Sequence, residues 1–325
     1  MNGSGFTLPE IYCPFPVSTF NDRPHPATAE AARELDALID ELDGETSLVR
    51  DAAAGVFLAD FAGRLHPDVS SQGLALVLMS HLVFYGHEAW IEQGDAPGRH
   101  HLSPLELNTV YDRALEVFDG AATAPSDTLV AHLLEPFGNL VRASKRPESY
   151  VRIRTALEGY LRAQVWEHDV RSRREMPSLA TYQAMRRNTS STVLYLELFP
   201  SFLDLDIPAT LLDHPVVRQL QDMQANYTCW VNDIFSFEKE MKEEGALNLV
   251  FLLREARDLS WEQAVAAAAE MVEKEATEYL ALKARLPRLG VPLDGALAEL
   301  LDQQERWQAH CIVYQQRAPR FSVTP

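Results

Sequence analysis

The stretch NDIFSFEKE, residues 232–240, decides how the rest of this sequence is interpreted. In an α-helix, positions four apart lie about 40° round and roughly 6 Å along from one another, so Asn232, Ser236 and Glu240 share one face. That face carries an amide, a hydroxyl and a carboxylate, the oxygen ligands that a hard divalent cation takes. Mg²⁺ takes few protein ligands and completes its octahedron with water and phosphate oxygens, so this face suits a Mg²⁺ that also holds a diphosphate. Lys239 adds a cation beside the same anion.

The spacing alone also fits an amphipathic helix whose polar stripe faces water. The residues upstream favour the metal site, because Tyr227, Cys229 and Trp230 make the run apolar and aromatic. Polar side chains on a buried helix need partners. A metal and a phosphate would supply them.

The stretch 232–240 resembles the second metal-binding motif of class I terpene synthases, written N-D-x-x-S-x-x-K-E in bacterial members. The resemblance continues through residues 245–250, which match G-x-x-N-L-V, and through the N-terminal run FTLPEIYCPFP at 6–16. It extends from Phe6 to Phe321. It implies an all-α class I terpenoid synthase bundle around a central active-site cavity.

Composition and charge narrow the class of protein. The 325 residues are 46% hydrophobic and 23% charged, which is typical of a globular chain. The formal charge of −18 repels nucleic acid and anionic membranes. We therefore expect neither nucleic-acid binding nor stable membrane association. A bound cation can reverse the sign of the charge locally, so an acidic protein can still hold a diphosphate.

Cysteine usage and hydropathy predict a cytoplasmic protein. The three cysteines, Cys13, Cys229 and Cys311, are odd in number and widely separated, so a disulfide framework is not expected. No basic segment followed by an apolar run begins the chain, and no run approaches the roughly 18 apolar residues of a membrane span.

The chain reads as one all-α domain over residues 1–325. Prolines punctuate residues 1–27 and predict an extended N-terminal strap. Helices are expected near 28–43 and 46–63, and about ten in total fit between the breaks. Connections are predicted at Pro67, 94–104, 122–126, Pro147, Pro177, 200–208 and 287–292. No alternating stretch long enough to build a sheet is present.

The family's first metal motif, D-D-x-x-D or D-D-x-x-x-E, has no aspartate pair here. His87 and Glu88 stand in its place, and Glu92 stands at the terminal carboxylate. Glu88 and Glu92 are spaced i, i+4 and could still bind Mg²⁺ from one helix face. His87 is a poor Mg²⁺ ligand, and we interpret it as a structural histidine, with a supporting partner of the ligands as the alternative.

The resemblance also implies a set of diphosphate-binding residues. Arg186 lies 46 residues before Asn232, where the family places a diphosphate-sensing arginine, and Arg187 is the fallback if the register slips. Thr189 and Ser190 stand where the family links that sensor to a conformational response. Arg320 takes the place of the arginine of a C-terminal Arg-Tyr pair. A pair of surface arginines is the alternative interpretation of 186–187.

Aromatic side chains would stabilise the carbocation that ionisation leaves. The candidates are Phe84, either Trp230 or Tyr227, and Tyr314, although each is also of a type that commonly forms plain core. The resemblance implies a linear isoprenyl diphosphate as substrate, farnesyl diphosphate first and geranylgeranyl diphosphate next.

The function expected from the sequence is thus a Mg²⁺-dependent terpene cyclase, with up to three ions, that releases diphosphate and a cyclic hydrocarbon or alcohol. Two alternatives stay open because of the missing aspartates. One is the same scaffold acting on a pre-cyclised or otherwise unusual prenyl diphosphate. The other is a noncatalytic isoprenoid-binding homologue. A homodimer is one expectation for the assembly.

Overall fold

The structure is a computed structural model that describes residues 8–15, 24–42, 46–55, 58–94, 102–144, 147–243 and 245–317. Within these ranges the chain is helical and has no strand. The contacts between residues divide it into two compact units. The N-terminal unit comprises 20–166 and 197–205, and the C-terminal unit comprises 1–19, 167–196 and 206–325.

The N-terminal unit is built around one long helix, α4. Its helices are α1 (Thr28–Glu41), α2 (Thr46–Gly55), α3 (Leu58–Leu65), α4 (Ser71–Gly94), α5 (Pro104–Phe118) and α6 (Leu129–Ala143), followed by most of α7 (Pro147–Arg173) and the end of α9 (Thr192–Phe202). Helix α4 packs against α1, α2, α3 and α6. It is apolar nearly all round because so many neighbours cover it.

The C-terminal unit is built around α11. Its helices are α8 (Leu179–Thr189), α10 (Ala209–Leu212), α11 (Pro215–Glu240), α12 (Leu249–Arg257), α13 (Trp261–Lys283) and α14 (Gly295–Arg317), with the 3-10 helix Leu286–Leu289. Helix α11 packs against α8, α12, α13 and α14. Of the predicted strap, residues 8–15 lie on this unit, where Phe15 packs edge-on against Tyr227 and Tyr279.

Local signals fix the ends of α11 and α12. Helix α11 begins with Pro215, whose missing N–H is harmless at the first position of a helix. Its N-terminus is capped by the His214 ring, which accepts from the Val216 N–H at 3.3 Å. The turn towards α12 passes through Gly245, whose φ of +76° favours glycine, and a Cβ there would lie 3.3 Å from the Arg171 carbonyl oxygen. Asn248 then caps α12 by accepting from the Val250 N–H.

Several predicted boundaries are confirmed and others are wrong. Helix α1 and the connections near 67, 122–126 and 177 agree with the structure. Most of the connection predicted at 94–104 lies outside the described residues. The described residues form fourteen α-helices rather than about ten, because the short turns near 190 and 258 carry no proline or glycine, and those near 213 and 241–248 carry only one such residue each, Pro215 and Gly245. Pro147 begins α7 and is not a connection. Pro200 lies inside α9, so the connection predicted at 200–208 is confirmed only from residue 203 onwards.

The expectation that no segment is apolar enough to span a membrane needs correction. Residues Ser71–Glu92 of α4 form a 22-residue stretch with a mean hydropathy of 1.3, which suffices by length and composition. Of the residues in that stretch, 61% are buried within the fold. Since α4 packs against four other helices, we interpret it as a core helix. The three cysteines are free thiols, as the sequence predicts.

Candidate active site

The stretch 232–240 forms the last turns of α11, so the three ligand candidates lie along one helix as predicted. Ser236 is buried, with 4% of its surface exposed, and Asn232 and Glu240 are half-buried. The Ser236 hydroxyl donates to the Asn232 backbone carbonyl at 2.8 Å, which leaves the hydroxyl lone pairs available as acceptors. The polar face is therefore inside the C-terminal unit rather than a solvated stripe.

Asp233, the residue between the first two candidates, is the most heavily bonded side chain of the site. Its Oδ2 accepts from the Tyr182 hydroxyl at 2.6 Å and from the Leu249 backbone N–H at 3.1 Å. Its Oδ1 accepts from Arg186 Nε at 2.9 Å and forms an ion pair with Nη2 at 2.7 Å. The carboxylate is fully buried. A buried charge needs such pairing, so this aspartate ties α8, α11 and α12 together.

Asn248 links the metal-ligand face to the start of α12. Its Nδ2 donates to the Asp233 backbone carbonyl at 2.8 Å and to Glu240 Oε2 at 2.9 Å. Its own Oδ1 is the cap of α12 and accepts from the Val250 N–H at 2.8 Å. Both polar atoms of this fully buried amide thus have hydrogen-bond partners. Glu240 is held in place before any ligand arrives.

The electrostatics of the site favour a bound cation. Burial, and after it the charge of Asp233, raises the pKa of Glu240. Burial likewise raises the pKa of Tyr182, with Asp233 second, so this phenol remains a donor. Burial is the largest single influence on Arg186 and lowers its pKa, but the electrostatic interactions with Asp233 and, after it, Tyr182, Cys229 and Glu167 together raise the pKa of the guanidinium well above its usual value. A cation beside Glu240 would offset its desolvation, since an opposite charge stabilises the ionised form.

The two candidate arginines have different partners. Arg186 contacts both Asp233 and Asn232, and the distance from its Nη2 to Asn232 Oδ1 is 3.0 Å. Arg187 instead pairs with Asp222, with Nη1 2.8 Å from Oδ1, and that aspartate is exposed. The structure therefore places Arg186, and not Arg187, beside the metal-ligand face.

The chain after Arg186 runs into the break between α8 and α9. Thr189 is buried, and Ser190 closes α8 with its N–H donating to the Arg186 carbonyl at 3.0 Å. The Ser190 hydroxyl lies 2.8 Å from Thr192 Oγ1 and 3.0 Å from the Cys229 sulfur on α11. Ser191 adopts a φ of +60°, which is uncommon for a residue with a side chain. These contacts fasten the break to α11.

His87, in place of the first aspartate, is a structural side chain of the N-terminal unit. Its Nδ1 lies 2.6 Å from the Tyr160 hydroxyl and its Nε2 lies 2.7 Å from the Tyr111 hydroxyl. Only 1% of its surface is exposed, and burial lowers its pKa to about 3. A neutral imidazole has one donor and one acceptor nitrogen, so the two phenols satisfy it.

Glu88 and Glu92 lie on α4 and are exposed. No group of three or more His, Cys, Asp or Glu side chains that could hold a metal occurs within the described ranges. This finding does not count the face on α11, because only one of its three residues is of those types. The role of Glu88 and Glu92 stays a prediction.

The remaining candidates lie in varied surroundings. Lys239 pairs with Glu243 at 3.3 Å. Trp230 is buried, Tyr314 is half-buried, and Phe84 lies edge-on to Tyr160 with 5.9 Å between ring centroids. Arg320 lies outside the described residues.

The contacts of two residues of the site, Asp233 and Asn248, carry no sequence signal. Asp233 belongs to the motif, but its bonds reach 51 residues back to Tyr182 and 16 residues forward to Leu249. Asn248 belongs to the G-x-x-N-L-V match at 245–250, whereas its bond to Glu240 depends on the turn between α11 and α12. Nothing short of the tertiary packing reveals these contacts.

Comparisons with known proteins place this geometry in a family. The family model described as terpene synthase family 2, C-terminal metal binding, matches residues 95–278. A germacrene A synthase from Nostoc punctiforme is 26% identical over 301 residues, which are 92% of this chain and 90% of the relative. A (+)-T-muurolol synthase from Roseiflexus castenholzii, named as (2E,6E)-farnesyl diphosphate cyclizing, is 24% identical over 216 residues, which are 66% of each chain.

The fold is likewise that of solved terpene synthases. The crystal structure of germacradien-4-ol synthase from Streptomyces citricolor superposes with a TM-score of 0.72 at 20% identity, covering 91% of this chain and 97% of that one. At this identity the likeness carries the fold alone. It confirms the predicted all-α class I bundle.

Proposed function

Because this chain belongs to terpene synthase family 2, we propose that it is a class I terpene cyclase that ionises a linear isoprenyl diphosphate and cyclises the resulting carbocation. Farnesyl diphosphate is the first candidate substrate, with geranylgeranyl diphosphate next, and the products are diphosphate and a cyclic hydrocarbon or alcohol. The farnesyl choice is supported by the (+)-T-muurolol synthase, whose name specifies that substrate. The observation that carries the proposal is the oxygen-lined face of Asn232, Ser236 and Glu240 with Arg186 beside it.

The donor set fits a hard divalent cation. An amide oxygen, a hydroxyl and a carboxylate lie along one face, and Asn248 holds the carboxylate through Oε2. Oxygen ligands of this kind suit Mg²⁺ rather than a soft metal. When bound, Mg²⁺ supplies Lewis-acid stabilisation of the departing diphosphate. We propose Mg²⁺ in up to three copies, with Glu88 and Glu92 as the further ligands in place of the family's aspartates.

The chain's own residues recognise the leaving group and keep water out. Arg186 is fixed by the buried Asp233, so its guanidinium is already oriented when a diphosphate arrives. Preorganised cations aimed at developing negative charge lower the barrier to ionisation. Arg320 and Lys239 are proposed as further cations, and Thr189 and Ser190 as the link to closure of the site. Phe84, Trp230 and Tyr314 are proposed to face the carbocation.

The two alternatives are less well supported. The relatives reported above are named as synthases, which favours an active cyclase over a noncatalytic homologue. Both ring nitrogens of His87 are hydrogen-bonded to phenols, so packing explains why a histidine replaces the aspartate. An unusual substrate is not needed to explain the replacement. A cytoplasmic location, one domain over 1–325 and a homodimer remain parts of the proposal.

The test is incubation of the purified protein with Mg²⁺ and, separately, geranyl, farnesyl and geranylgeranyl diphosphate, with products identified by gas chromatography and mass spectrometry. We expect cyclic products from one of these substrates and none after chelation of the metal. The matched variant is Glu240→Gln, which keeps the shape of the side chain and removes its charge. Full activity of that variant, or no product from any substrate with the wild type, would overturn the proposal.

A further inference from the structure

Two pairs of glutamines, Gln221 with Gln304 and Gln224 with Gln308, join α11 to α14 inside the C-terminal unit. In the first pair, Gln221 Nε2 donates to Gln304 Oε1 at 3.0 Å and Gln304 Nε2 donates back to Gln221 Oε1 at 3.2 Å. In the second pair, Gln308 Nε2 lies 3.3 Å from Oε1 and 3.3 Å from the backbone carbonyl oxygen of Gln224. Gln224 and Gln308 are each 1% exposed, and Gln304 is fully buried. Because solvent does not reach these amides, their hydrogen bonds come from neighbouring helices.

The pairs fix the register of the two helices. The partners are 83 positions apart in the first pair and 84 in the second, so α11 and α14 run parallel and advance together. If α14 slipped by one turn, about 5.4 Å, Gln308 would lie opposite Gln221. Gln224 would then face Ile312, and Gln304 would have no amide opposite it. A buried amide without a partner is unfavourable, so the pairs select one register.

A buried carboxylate fixes the direction of the second pair. Glu305 is 6% exposed, and its Oε1 accepts from the Tyr279 hydroxyl at 2.9 Å and from Lys283 Nζ at 2.6 Å. Because the phenol gives its single hydrogen to Glu305, its oxygen accepts from Gln224 Nε2, which lies 2.8 Å away. The Oε1 atom of Gln224 is then turned towards Gln308. Glu305 therefore sets, through Tyr279, the orientation of the second pair.

These pairs are better suited to selecting a register than to stabilising the fold. Oε1 of Gln308 is buried and has no hydrogen-bond partner within the described part of the chain, so the second pair is not fully satisfied. Val231 and Ile312 line the same seam further along, so apolar side chains are accommodated between these helices. A polar residue in an otherwise apolar helix seam specifies register at a cost in stability.

The register determines where Tyr314 lies along α11. At the offset of the two pairs, Tyr314 is level with residues 230–231, within one turn of Asn232. Tyr314 is one of the aromatic side chains proposed to face the carbocation, and the metal-ligand face is proposed to hold the diphosphate. The distance between them along the helix selects the substrate carbon that the ring can stabilise, because a cation–π contact acts within about 6 Å of the ring centroid. A slip of one turn would bring a different carbon against the ring.

We propose that the two glutamine pairs are positioning residues for the cyclisation: by fixing α14 on α11, they hold Tyr314 against one carbon of the carbocation and so restrict the products. Glu305 supports this role by orienting the second pair. The inference rests on the proposed function and adds to it the residues that decide which product forms. Without the pairs, α14 occupies more than one register, and the same carbocation partitions among more products.

The experiment replaces the pairs with apolar side chains of similar size. The main variant changes all four glutamines to leucine, and a second variant, Gln224→Leu/Gln308→Leu, changes the second pair alone. The matched control is Gln219→Leu/Gln316→Leu, which makes the same substitutions at exposed positions of α11 and α14. Each protein is incubated with Mg²⁺ and farnesyl diphosphate, or with geranylgeranyl diphosphate if the wild type cyclises only that substrate. Gas chromatography gives the product ratio, diphosphate release gives kcat and KM, and thermal unfolding gives the melting temperature.

In the main variant we expect the ratio of the main product to the minor products to fall about 10-fold or more, since a misplacement of about 1 Å can change a rate about 100-fold. The second variant should lie between the main variant and the wild type, and the control should match the wild type. The melting temperature should not fall, and kcat for diphosphate release should stay close to that of the wild type, because the residues proposed to bind diphosphate are unchanged. In a Tyr314→Ala background, the same leucine substitutions should change the product ratio no further.

The outcomes separate this inference from the proposed function. If the wild type forms no cyclic product from geranyl, farnesyl or geranylgeranyl diphosphate, the proposed function fails and the inference fails with it. If the wild type is a cyclase but the folded leucine variants keep its product ratio, only the inference is overturned. A change of ratio that is just as large with Tyr314→Ala present also overturns it, since the pairs would then act elsewhere. A large loss of melting temperature in both leucine variants would show that the pairs stabilise the fold instead of selecting a register, which contradicts the inference as well.

Discussion

The buried pair of Asp233 and Arg186 makes a quantitative prediction about stability. In Asp233→Asn the side chain keeps its shape, but its amide has one acceptor and one donor edge. One edge of the carboxylate faces Arg186 and the other faces Tyr182 and the Leu249 N–H. Whichever way the new amide turns, its NH₂ group meets a donor. The guanidinium also loses its counter-charge inside the protein.

The magnitude follows from that geometry. Removing one partner of a buried ion pair costs about 3–5 kcal/mol because the other charge stays buried and uncompensated. Arg186 is 15% exposed, which keeps the expected loss towards the lower half of that range. The matched control is Asp222→Asn, which breaks the pair with Arg187 where the aspartate is 57% exposed. An exposed pair contributes about 0–1 kcal/mol.

The assay is urea unfolding followed by far-ultraviolet circular dichroism, with intrinsic fluorescence as a second probe to test for a single transition. We expect the Asp233→Asn midpoint to fall well below that of the wild type and the Asp222→Asn midpoint to stay close to it. If the two variants lose the same small amount, Asp233 is not the buried centre of the site and the account of Arg186 given above is wrong.

Three further predictions come from the same contacts. Replacing His87→Asp should destabilise the protein rather than restore a metal motif, because a carboxylate there would be buried between two phenols; thermal unfolding checks this against the milder His87→Gln. Since burial lowers the pKa of His87 to about 3, the contribution of His87 to the free energy of unfolding should fall by about 1.4 kcal/mol per pH unit as the pH drops from roughly 6.5 towards 4, and His87→Gln should reduce the overall slope by that amount in pH-dependent urea titrations. Asn248→Ala should weaken metal affinity about 10- to 100-fold through the loss of its bond to Glu240, measured by calorimetry with diphosphate present.

The sequence predicts that the three proposed ligands lie on one helix because their alignment is a local property. Asn232, Ser236 and Glu240 are four residues apart, so a single helix is enough to align them. The all-α class follows as directly from the absence of alternating segments. Arg186 comes from resemblance alone, and the choice between it and Arg187 needs the packing of α8 on α11, which turns one guanidinium towards Asp233 and the other towards Asp222.

What the sequence does not reveal is set by distant contacts. His87 was correctly expected to be structural, but the reason lies in Tyr111 and Tyr160, which are 24 and 73 residues away. The predicted number of helices was wrong because breaks such as the one after Thr189 are fixed by hydrogen bonds to α11 rather than by proline or glycine. Hydropathy alone also does not show whether α4 is a membrane span or a core helix. Its apolar surface is explained by its neighbours in the N-terminal unit.

The position of Asp233 connects stability with function. A buried ion pair is a poor way to stabilise a fold, since apolar side chains of equal volume often do as well or better. The Asp233–Arg186 pair instead fixes a positive charge beside two oxygen donors. An arginine without this partner could pair with many other carboxylates, because the protein has a net charge of −18. Because the same carboxylate accepts from the first N–H of α12, Asp233 also holds the start of the helix that Asn248 caps, and Asn248 binds Glu240. In the proposed function, one buried charge would therefore orient both the arginine that binds diphosphate and a ligand of the metal.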